Sequence, residues 1–463
     1  MDSAGADAVA ALVVRARRAQ KVFAAQSQAF VDKACLAVGW ALLEPETNRR
    51  LSKMAVEETG LGNAADKERK NTRKTLGLLR DIRGQKTIGV IHEEPERGLI
   101  EIARPAGVVA ALTPSTNPLA TPVNKTINAL KGGNAVILAP PPKGAKVGAI
   151  LLEKICAELD KVGAPPDLVQ MLLPPSKPAT ESLVQQADLV VVTGSQRNVR
   201  TAYSSGVPAI GVGAGNVAVI IDETADVVAA AKKITASKIF DNATSCSSEN
   251  HLVIVDEVYD AMLAALSENG GVLLDDDEKQ RLQQHLWTDG ALNRDMLARD
   301  MPVYAKTAGL SEAAQQARLV MVEENGVGAE YPFSGEKLSL TLTLYRAADF
   351  AAAKARTAEL LEHQGAGHSV GIHTKDDSRP LELGLELPAC RIIVNQAHCF
   401  ANGGSFDNAL PFSLSMGCGT WGKNSVCDNV NFRHYINITR VVRTCEADEP
   451  SLEDVFGEYW AGA

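Results

Sequence analysis

The sequence predicts an α/β protein built on parallel sheets that helices cover on both faces. From Gly107 onward, short runs rich in valine, isoleucine and leucine alternate with segments of helical periodicity. Continuous apolar strands of this kind are typical of parallel sheets buried on both sides. Two of the runs, ending at Leu112 and Val192, are followed directly by small polar residues. Because such sheets bind ligands beyond the carboxyl ends of their strands, these two ends indicate a ligand site.

The length and charge of the chain narrow its class. The 463 residues exceed one ordinary core, so two or three domains are expected. The formal net charge is −9 and no long basic run occurs, which argues against nucleic acid as a partner. No apolar run reaches the roughly 18 residues of a membrane helix, so no membrane partner is expected.

The eight cysteines are scattered along the chain, and none forms a Cys-x-x-Cys pair. This spacing indicates neither a zinc site nor a disulfide framework, so no metal site is predicted. A long chain with unpaired cysteines fits a reducing compartment, and the predicted location is the cytoplasm.

The N-terminal region is predicted to be helical. Residues 3–25 form an amphipathic pattern that fits either a helix packed on the body of the protein or a targeting or encapsulation peptide. Further helical runs cover 27–57 and 64–84. We interpret the basic residues of the second run as a solvent-facing surface; they are Lys67, Arg69, Lys70, Arg73 and Lys74.

A hairpin and two α/β regions follow. Residues 86–104 contain two short strand-like runs around a polar turn with a proline, and we interpret this hairpin as an oligomerisation arm. The strands of the first α/β region are predicted at 107–112, 134–139, 168–173, 189–192, 209–212 and 217–221. In the second region an acidic helical segment is predicted at 276–300, and the predicted strands are 252–255, 319–322, 338–345, 369–373, 391–395 and a final strand at 435–443.

A polar segment at 241–250 separates a helical run from a strand and contains Cys246 between small hydroxyl residues. A cysteine at such a boundary is well placed to be exposed and reactive. Free cysteines are more often buried and inert, and the segment alone leaves both interpretations open.

Seven segments, in the right order and at sensible spacing, resemble the CoA-acylating branch of the aldehyde dehydrogenase superfamily. They are 113–118 (TPSTNP), 192–195 (VTGS), 203–217 (YSSGVPAIGVGAGNV), 242–246 (NATSC), 335–339 (GEKLS), 365–368 (GAGH) and 417–425 (GCGTWGKNS). The resemblance covers nearly the whole chain. It implies a Rossmann-like cofactor domain at 1–238 that includes the hairpin arm, a catalytic domain at 239–415, and a C-terminal return with an oligomerisation strand at 416–463. It also implies a homodimer or homotetramer.

The resemblance implies that Cys246 is the nucleophile and forms a thioester that the thiol of coenzyme A then attacks. The oxyanion is expected to be stabilised by the backbone N–H of Cys246 and by a second donor. In hydrolytic members that donor is the asparagine of a Pro-x-Asn-x-Pro turn. Thr116 matches it by spacing while Asn117 is displaced by one position, so both stay candidates.

Gly211 stands where hydrolytic members carry the glutamate that activates water. Without this base, water attack on the thioester is expected to be slow. A thiol needs less assistance because a fraction of it is already ionised near neutral pH. The glycine therefore favours acyl transfer to coenzyme A, although tight packing alone also explains a glycine here.

The resemblance also implies a site for NAD or NADP. Glu336 matches the glutamate that contacts the nicotinamide-side ribose, and the other expected cofactor residues are Thr113, Pro114, Ser115, Gly194, Ser195, Gly213 and Gly419. A lysine that usually holds the adenosine ribose is replaced by Ala139. Lys143 or Arg197 is a candidate to meet a 2′-phosphate, which favours NADP; solvated charges are the alternative.

Two further residues concern catalysis and substrate. His368 resembles a histidine that deprotonates a thiol or positions substrate, and a structural histidine is the alternative. The segment 431–440 resembles members that act on sulfoacetaldehyde, so Arg433 is a candidate to neutralise an anionic aldehyde, with an interface strand as the alternative. Acylating enzymes for succinate semialdehyde or acetaldehyde, a hydrolytic dehydrogenase and an inactive scaffold or filament subunit are the competing functions.

Overall fold

Helices form the N-terminal part of the protein in the computed structural model, which describes residues 3–461. They are α1 (Ser3–Ala24), α2 (Gln28–Leu43), α3 (Pro45–Thr59) and α4 (Ala64–Ile82). Val9, Val13 and Ala16 on α1 are buried, which confirms the interpretation of 3–25 as a helix packed on the body. The predicted run 27–57 is two helices, because Pro45 begins α3 and the Glu44 carboxylate caps its first turn.

The basic face of α4 is not the solvent-facing surface that the sequence predicted. The side chains of Lys67, Lys70 and Lys74 are 3%, 5% and 8% exposed. Their spacing of three and four residues places them on one face of the helix. Tertiary contacts with Asp241 and with backbone carbonyl groups provide their partners, and none of these contacts can be deduced from the sequence of the helix alone.

The predicted hairpin is confirmed: β1 (Gly89–Glu94) pairs antiparallel with β2 (Leu99–Pro105). A five-stranded parallel sheet follows, with helices on both faces, as predicted. Its elements are β3 (Val108–Leu112), α5 (Ala120–Lys131), β4 (Ala135–Ala139), α6 (Ala145–Lys161), β5 (Val169–Met171), α7 (Lys177–Gln186), β6 (Leu189–Val192), α8 (Gln196–Tyr203) and β7 (Ala209–Gly211). The strand order is β5-β4-β3-β6-β7, which places β3 and β6 side by side.

A second parallel sheet, of seven strands, fills the other half of the protein. Its elements are β8 (Val217–Ile221), α9 (Val227–Ile239), β9 (Glu249–Val255), α10 (Asp256–Glu268), β10 (Gly271–Leu273), α11 (Asp276–Leu286), β11 (Trp287–Thr288), β12 (Ala291–Leu292), α12 (Met301–Thr307), α13 (Glu312–Gln316), β13 (Leu319–Glu323), β14 (Thr341–Ala347), α14 (Phe350–His363), β15 (Val370–His373), α15 (Ser378–Glu386) and β16 (Ile392–Val394). The sheet order is β10-β13-β14-β9-β8-β15-β16, and β11 and β12 form a separate hairpin.

The helical prediction for 276–300 is correct only as far as Leu286. Asp289 and Gly290 both have positive φ angles, 51° and 73°, and they turn the chain between β11 and β12. An Asp-Gly pair is a strong signal for such a two-residue hairpin. The sequence prediction relied on the acidic composition of the whole region and did not use this turn signal.

The C-terminal segment returns to the first half of the protein. Its elements are α16 (His398–Ala401), β17 (Ile436–Val442) and α17 (Leu452–Ala461), and β17 pairs antiparallel with β2. The hairpin therefore becomes a three-stranded sheet, and the predicted final strand is confirmed. Within residues 3–461, no helix is long and apolar enough to cross a membrane.

The fold class predicted from the sequence is confirmed, whereas the domain boundaries stay a prediction. The chain passes from one parallel sheet to the other between Gly211 and Val217, before the predicted division at 238/239. β8 and α9 pack in the second half, because Val217, Val219 and Ile234 share a core with β9. Residues 1, 2, 462 and 463 of the predicted domains lie outside the described residues.

Candidate active site

Cys246 lies on a turn between a short 3-10 helix (Phe240–Ala243) and β9. The three residues Asp241, Asn242 and Ala243 all have positive φ angles, 49°, 53° and 59°. Non-glycine residues in this conformation carry strain, which persists only where surrounding contacts hold it. The strained backbone before Cys246 is therefore a feature that its neighbours must stabilise.

Buried ionic and polar contacts hold this strained turn. The Asp241 carboxylate accepts from the Lys70 ammonium at 2.5 Å and from the Lys67 ammonium at 3.1 Å. Burial opposes ionisation of Asp241, but the two lysine charges outweigh it and hold the pKa of this carboxyl below its usual value. Asn242 donates from Nδ2 to the Asp300 carboxylate at 2.8 Å. α4 is thus fastened to the turn that carries Cys246.

The Cys246 thiol is partly exposed and protonated near neutral pH. Burial of its surroundings raises the pKa of the thiol to about 12, and the negative charges of Glu336 and Cys418 act in the same direction. A Cβ atom at Gly215 would lie 2.3 Å from the Cys246 carbonyl oxygen, so only glycine fits beside this backbone. A thiol of this kind needs a base before it can act as a nucleophile.

His368 lies beside this thiol. Its Nε2 lies 3.4 Å from the Cys246 Sγ, and its Nδ1 lies 2.8 Å from the Ser369 Oγ. Burial holds the pKa of His368 well below 6.5, and the charges of Arg391 and His398 act in the same direction. The ring is therefore neutral, and a proton on Nδ1 donated to Ser369 leaves the Nε2 lone pair facing the thiol.

Thr116 and Asn117 follow β3 and are both held by lysines of α4. The Thr116 carbonyl oxygen accepts from the Lys67 ammonium at 3.1 Å. The Asn117 Oδ1 accepts from the Lys70 ammonium at 2.8 Å, and the same ammonium bonds Thr244, two residues before Cys246. This contact fixes the Asn117 amide and leaves its NH₂ group available as a donor. Between these two candidates, the lysine contact favours Asn117 for the oxyanion.

The ends of β3 and β6 have the features of a dinucleotide site. Thr113 is buried and its N–H donates to the Ala139 carbonyl, while Pro114 and Ser115 are partly exposed. Ser195 accepts from the Asn198 N–H as the N-cap of α8, so its hydroxyl hydrogen remains free to donate. A Cβ atom at Gly194 would have its nearest neighbour 3.9 Å away, so the space beside this glycine is open. The donors and the open space fit a phosphate group.

A cleft of about 410 Å³ lies between α7 and α8. Arg197 and Arg200 of α8 line it together with Glu181 of α7 and with Ser204. Its size and its mixture of cationic and polar groups fit the adenosine half of a dinucleotide. Lys143, the other candidate for a 2′-phosphate, is exposed and does not line this cleft.

The negative charge of an ionised Glu336 raises the pKa of the Cys246 thiol. Burial raises the pKa of Glu336 itself to about 8, against the opposing charges of Lys337 and Lys238. Its backbone N–H donates to the Gln364 Oε1 at 3.1 Å. Cys246, His368 and Glu336 are thus brought together from three separate parts of the sequence.

The predicted glycines pack against other parts of the site. A Cβ atom at Gly213 would lie 2.6 Å from the Cys418 Sγ, and one at Gly211 would lie 2.6 Å from Val199 of α8. Gly419 has a positive φ of 58°. Packing thus requires a glycine at 211, and the same packing leaves no room there for a carboxylate side chain. The roles of Gly213 and Gly419 in cofactor binding stay predictions.

Arg433 does not join the Cys246 group in the described structure. It is exposed on the 3-10 turn Phe432–Tyr435 and lines a separate cleft of about 350 Å³ with Cys390, Cys427 and His434. Its role with an anionic substrate stays a prediction. The sequence reasoning instead missed the lysines of α4, because their partner Asp241 is distant in the sequence.

Comparisons with known proteins agree with this geometry. Residues 1–277 match the model of the aldehyde dehydrogenase family. A sulfoacetaldehyde dehydrogenase (acylating) from Cupriavidus necator is 58% identical over 99% of this chain and 93% of its own length. Another, from Bilophila wadsworthia, is 42% identical over 96% of this chain and 97% of its own length. The crystal structure of an acetylating aldehyde dehydrogenase from Geobacillus thermoglucosidasius has a TM-score of 0.93 at 36% identity and covers 97% of this chain and 99% of its own.

The chain belongs to the aldehyde dehydrogenase family, as its motifs predicted. These relatives and this structural neighbour are acylating members, so the predicted resemblance to that branch is confirmed as well.

Proposed function

We propose that the protein oxidises sulfoacetaldehyde to sulfoacetyl-CoA with NAD or NADP, through a thioester on Cys246. The observation that carries the chemistry is the 3.4 Å contact between the Cys246 thiol and the neutral His368 ring. The substrate follows from the two sulfoacetaldehyde dehydrogenases that are 58% and 42% identical to this chain. The runner-up is an acylating enzyme for succinate semialdehyde or acetaldehyde.

The first step is proton transfer from the thiol to His368. Nε2 of the ring accepts the Cys246 proton while Nδ1 stays bonded to Ser369. The thiolate attacks the aldehyde carbon, and the carbonyl π electrons move to oxygen. The resulting alkoxide is stabilised by the Cys246 N–H and by the NH₂ group of Asn117, which Lys70 holds in place.

Ser195 and Gly194 would hold the phosphates of the dinucleotide, the α7–α8 cleft would hold its adenosine, and Glu336 would hold the nicotinamide-side ribose. When bound, NAD or NADP accepts the hydride of the tetrahedral carbon, which leaves the acyl group on Cys246 as a thioester. The residues of the chain keep this carbon fixed beside the turn that contains Cys246.

Coenzyme A is the proposed acyl acceptor. Gly211 occupies the position of a water-activating carboxylate, and its packing against Val199 excludes a longer side chain. Water therefore lacks that carboxylate. The proton that His368 took from Cys246 is first released to solvent, and the ring then accepts the proton of the coenzyme A thiol as its sulfur attacks the thioester. The Cys246 thiolate leaves and takes this proton back from His368.

A product assay tests the activity. The purified protein is given sulfoacetaldehyde, succinate semialdehyde, acetaldehyde or propanal, with either dinucleotide, in the presence and absence of coenzyme A. The expected result is acyl-CoA formation that depends on coenzyme A and is fastest with sulfoacetaldehyde. Free acid formed at the full rate without coenzyme A would identify a hydrolytic dehydrogenase instead.

The Cys246→Ala variant separates an enzyme from an inactive scaffold. We expect this variant to lose at least about a thousandfold in turnover of every aldehyde, because no covalent intermediate can form. Undiminished turnover would contradict the role of Cys246. Absence of turnover in the unmodified protein under all these conditions would support a scaffold.

The described chain also supports a homo-oligomer. The three-stranded sheet of β1, β2 and β17 has two free edges and little core of its own, and such a small sheet gains stability by pairing with another copy. We assign it the role of a dimer or tetramer contact.

A further inference from the structure

The face of α4 next to the active site contains an unusual group of cations. We define the α4 cation row as Lys70, Arg73 and Lys74. Lys70 bonds Thr244 on the Cys246 turn at 2.9 Å. Lys74 bonds the Gly403 carbonyl at 2.7 Å. The row therefore lies where the Cys246 turn and the segment 398–406 both meet the helix.

Arg73 lies among aromatic rings at this meeting point. Its guanidinium carbon is 5.8 Å from the ring centre of Phe400, 5.4 Å from that of Phe406 and 5.8 Å from that of Phe412. Its Nη2 donates to the Ser405 Oγ at 2.5 Å. Its Nε is buried and, within residues 3–461, has no hydrogen-bond partner. A buried unpaired donor is costly and points to a missing acceptor.

The positive charge of the row exceeds the negative charge around it. Asp241 already binds both Lys67 and Lys70. Asp407 is the carboxylate whose charge reaches Arg73, and it is bonded to the Ser405 hydroxyl. Lys74 has carbonyl oxygens as its described partners. Burying cations without matching anions is unfavourable, so an anion from outside the chain would stabilise Arg73 and Lys74.

The row is also close to the reacting sulfur. Phe400 packs against Phe240 with their ring centres 4.7 Å apart, and Phe240 begins the 3-10 helix that precedes Cys246. Cys399 directly precedes Phe400, one of the rings around Arg73. An anion held by Arg73 and Lys74 would thus lie near the carbon that Cys246 attacks. In sulfoacetaldehyde a single methylene group separates the sulfonate from the aldehyde carbon, which suits a short separation.

We infer that Arg73 and Lys74 bind the sulfonate group of the substrate while its aldehyde carbon lies against Cys246. This inference rests on the proposed function and assigns to α4 the task that the sequence analysis gave to Arg433. A guanidinium binds two oxygens of a sulfonate with parallel hydrogen bonds, and the ammonium of Lys74 adds a second charge. Lys70 stays with Asp241 and Asn117 and positions the oxyanion donor.

The test compares a charged and an uncharged aldehyde of similar length. Initial rates with sulfoacetaldehyde and with propanal are measured for the unmodified protein and for Arg73→Gln, Lys74→Met and Arg433→Gln. We expect Arg73→Gln and Lys74→Met each to raise the KM for sulfoacetaldehyde about 30-fold or more. Propanal oxidation should change by less than about threefold. Arg69→Gln is the matched control, because Arg69 lies on the same helix with its side chain 71% exposed.

Ethanesulfonate provides a second measurement that does not require turnover of sulfoacetaldehyde. It should inhibit propanal oxidation by the unmodified protein competitively, and Arg73→Gln should weaken that inhibition by a similar factor. The inhibition measurement uses the unmodified protein and Arg73→Gln, so it tests the inference even if Lys74→Met fails to fold.

The outcomes separate the inference from the proposed function. No turnover of sulfoacetaldehyde by the unmodified protein would overturn the proposed function. The α4 assignment alone would be overturned if the unmodified protein prefers sulfoacetaldehyde but Arg73→Gln loses activity equally with sulfoacetaldehyde and propanal. It would also be overturned if Arg73→Gln loses no activity with either aldehyde. A selective loss in Arg433→Gln instead would place the sulfonate in the cleft of Arg433.

Discussion

A thiol with a pKa of about 12 and a histidine whose pKa is well below 6.5 form a pair that is neutral on both sides at pH 7. Burial disfavours the charged form of each group, so the ion pair is not the resting state. The thiolate must then be formed in each turnover by proton transfer to His368, before it attacks the aldehyde carbon. The 3.4 Å separation between Nε2 and Sγ permits this, because hydrogen bonds to sulfur are longer than those to oxygen.

The first prediction concerns His368→Asn. We expect the rate of thioester formation at pH 7 to fall by about 10² to 10⁴, because the base is lost. The remaining rate should rise about tenfold per pH unit above pH 7, as the thiolate fraction grows. A stopped-flow measurement of reduced dinucleotide in the first turnover checks both. Ser369→Ala keeps the His368 ring but removes its Nδ1 partner, and its rate of thioester formation should fall much less. An unchanged first-turnover rate in His368→Asn would contradict the role of His368 as the base.

The second prediction concerns Glu336→Gln and the stability of the protein. Burial raises the pKa of Glu336 from 4.5 to about 8. The folded state therefore binds this proton more tightly than the unfolded state does. The resulting stabilisation is fully present below pH 4.5 and is lost as the pH rises through 8. Removing the ionisation should raise the free energy of unfolding by a few kcal/mol at pH 9, relative to the unmodified protein, and by much less at pH 5.

Thermal unfolding at pH 5 and pH 9 measures this difference between Glu336→Gln and the unmodified protein. Glu257→Gln on the exposed side of α10 is the control and should shift neither midpoint. Part of the pH dependence should persist in Glu336→Gln, since burial also raises the pKa of Glu249 to about 7. An equal effect at both pH values would contradict the prediction.

At the scale of the element, hydrophobic periodicity predicted the strands well and the environment of α4 poorly. β6 and β8 have the predicted bounds because their continuous apolar runs fit only a strand buried on both faces. A lysine has the same sequence signature whether water or Asp241 lies beside it. The contacts of Lys67 and Lys70 with Asp241 join residues 174 and 171 positions apart, so local patterning contains no information about them.

In the site, too, residues that belong to recognisable motifs were predicted, whereas roles that depend on distant contacts were not. Cys246, His368 and Glu336 were predicted because their motifs resemble a known family, and the structure brings them together. Arg433 was predicted because its segment is rich in cationic and polar residues and resembles members that act on sulfoacetaldehyde, and it lies in a different cleft. The choice between Thr116 and Asn117 depended on a hydrogen bond from Lys70, which no local pattern encodes.

The third prediction concerns the cleft between α7 and α8. Arg197 lines it and is a candidate to meet the 2′-phosphate of NADP. Arg197→Gln should raise the KM for NADP about fivefold and leave the KM for NAD nearly unchanged, since an exposed ion pair contributes up to about 1 kcal/mol. Initial rates with each dinucleotide check this. Lys143→Gln tests the other candidate for the 2′-phosphate, which lies outside the cleft. A selective rise of the KM for NADP in Lys143→Gln instead, or equal effects of Arg197→Gln on both dinucleotides, would contradict the assignment.

At the scale of the whole molecule, one small sheet connects the two ends of the chain. β2 is the central strand between β1 and β17, although β2 and β17 are separated by more than 300 residues. Val441 and Val442 on β17 are 38% and 71% exposed. Exposed valines on an edge strand favour pairing with another strand, and charged residues usually prevent it.

The last prediction follows from this exposed edge. The double variant Val441→Lys/Val442→Lys should weaken the proposed contact between copies, because two charges would be buried where two valines now offer apolar surface. Light scattering after gel filtration should give a mass near the 49.1 kDa of one chain for the variant, and a multiple of it for the unmodified protein. Leu385→Lys is the control, since Leu385 is 77% exposed on α15, outside this sheet. If the double variant keeps the oligomeric mass, or if Leu385→Lys lowers it equally, the sheet is not the contact; a fall confined to the double variant locates the interface on β17.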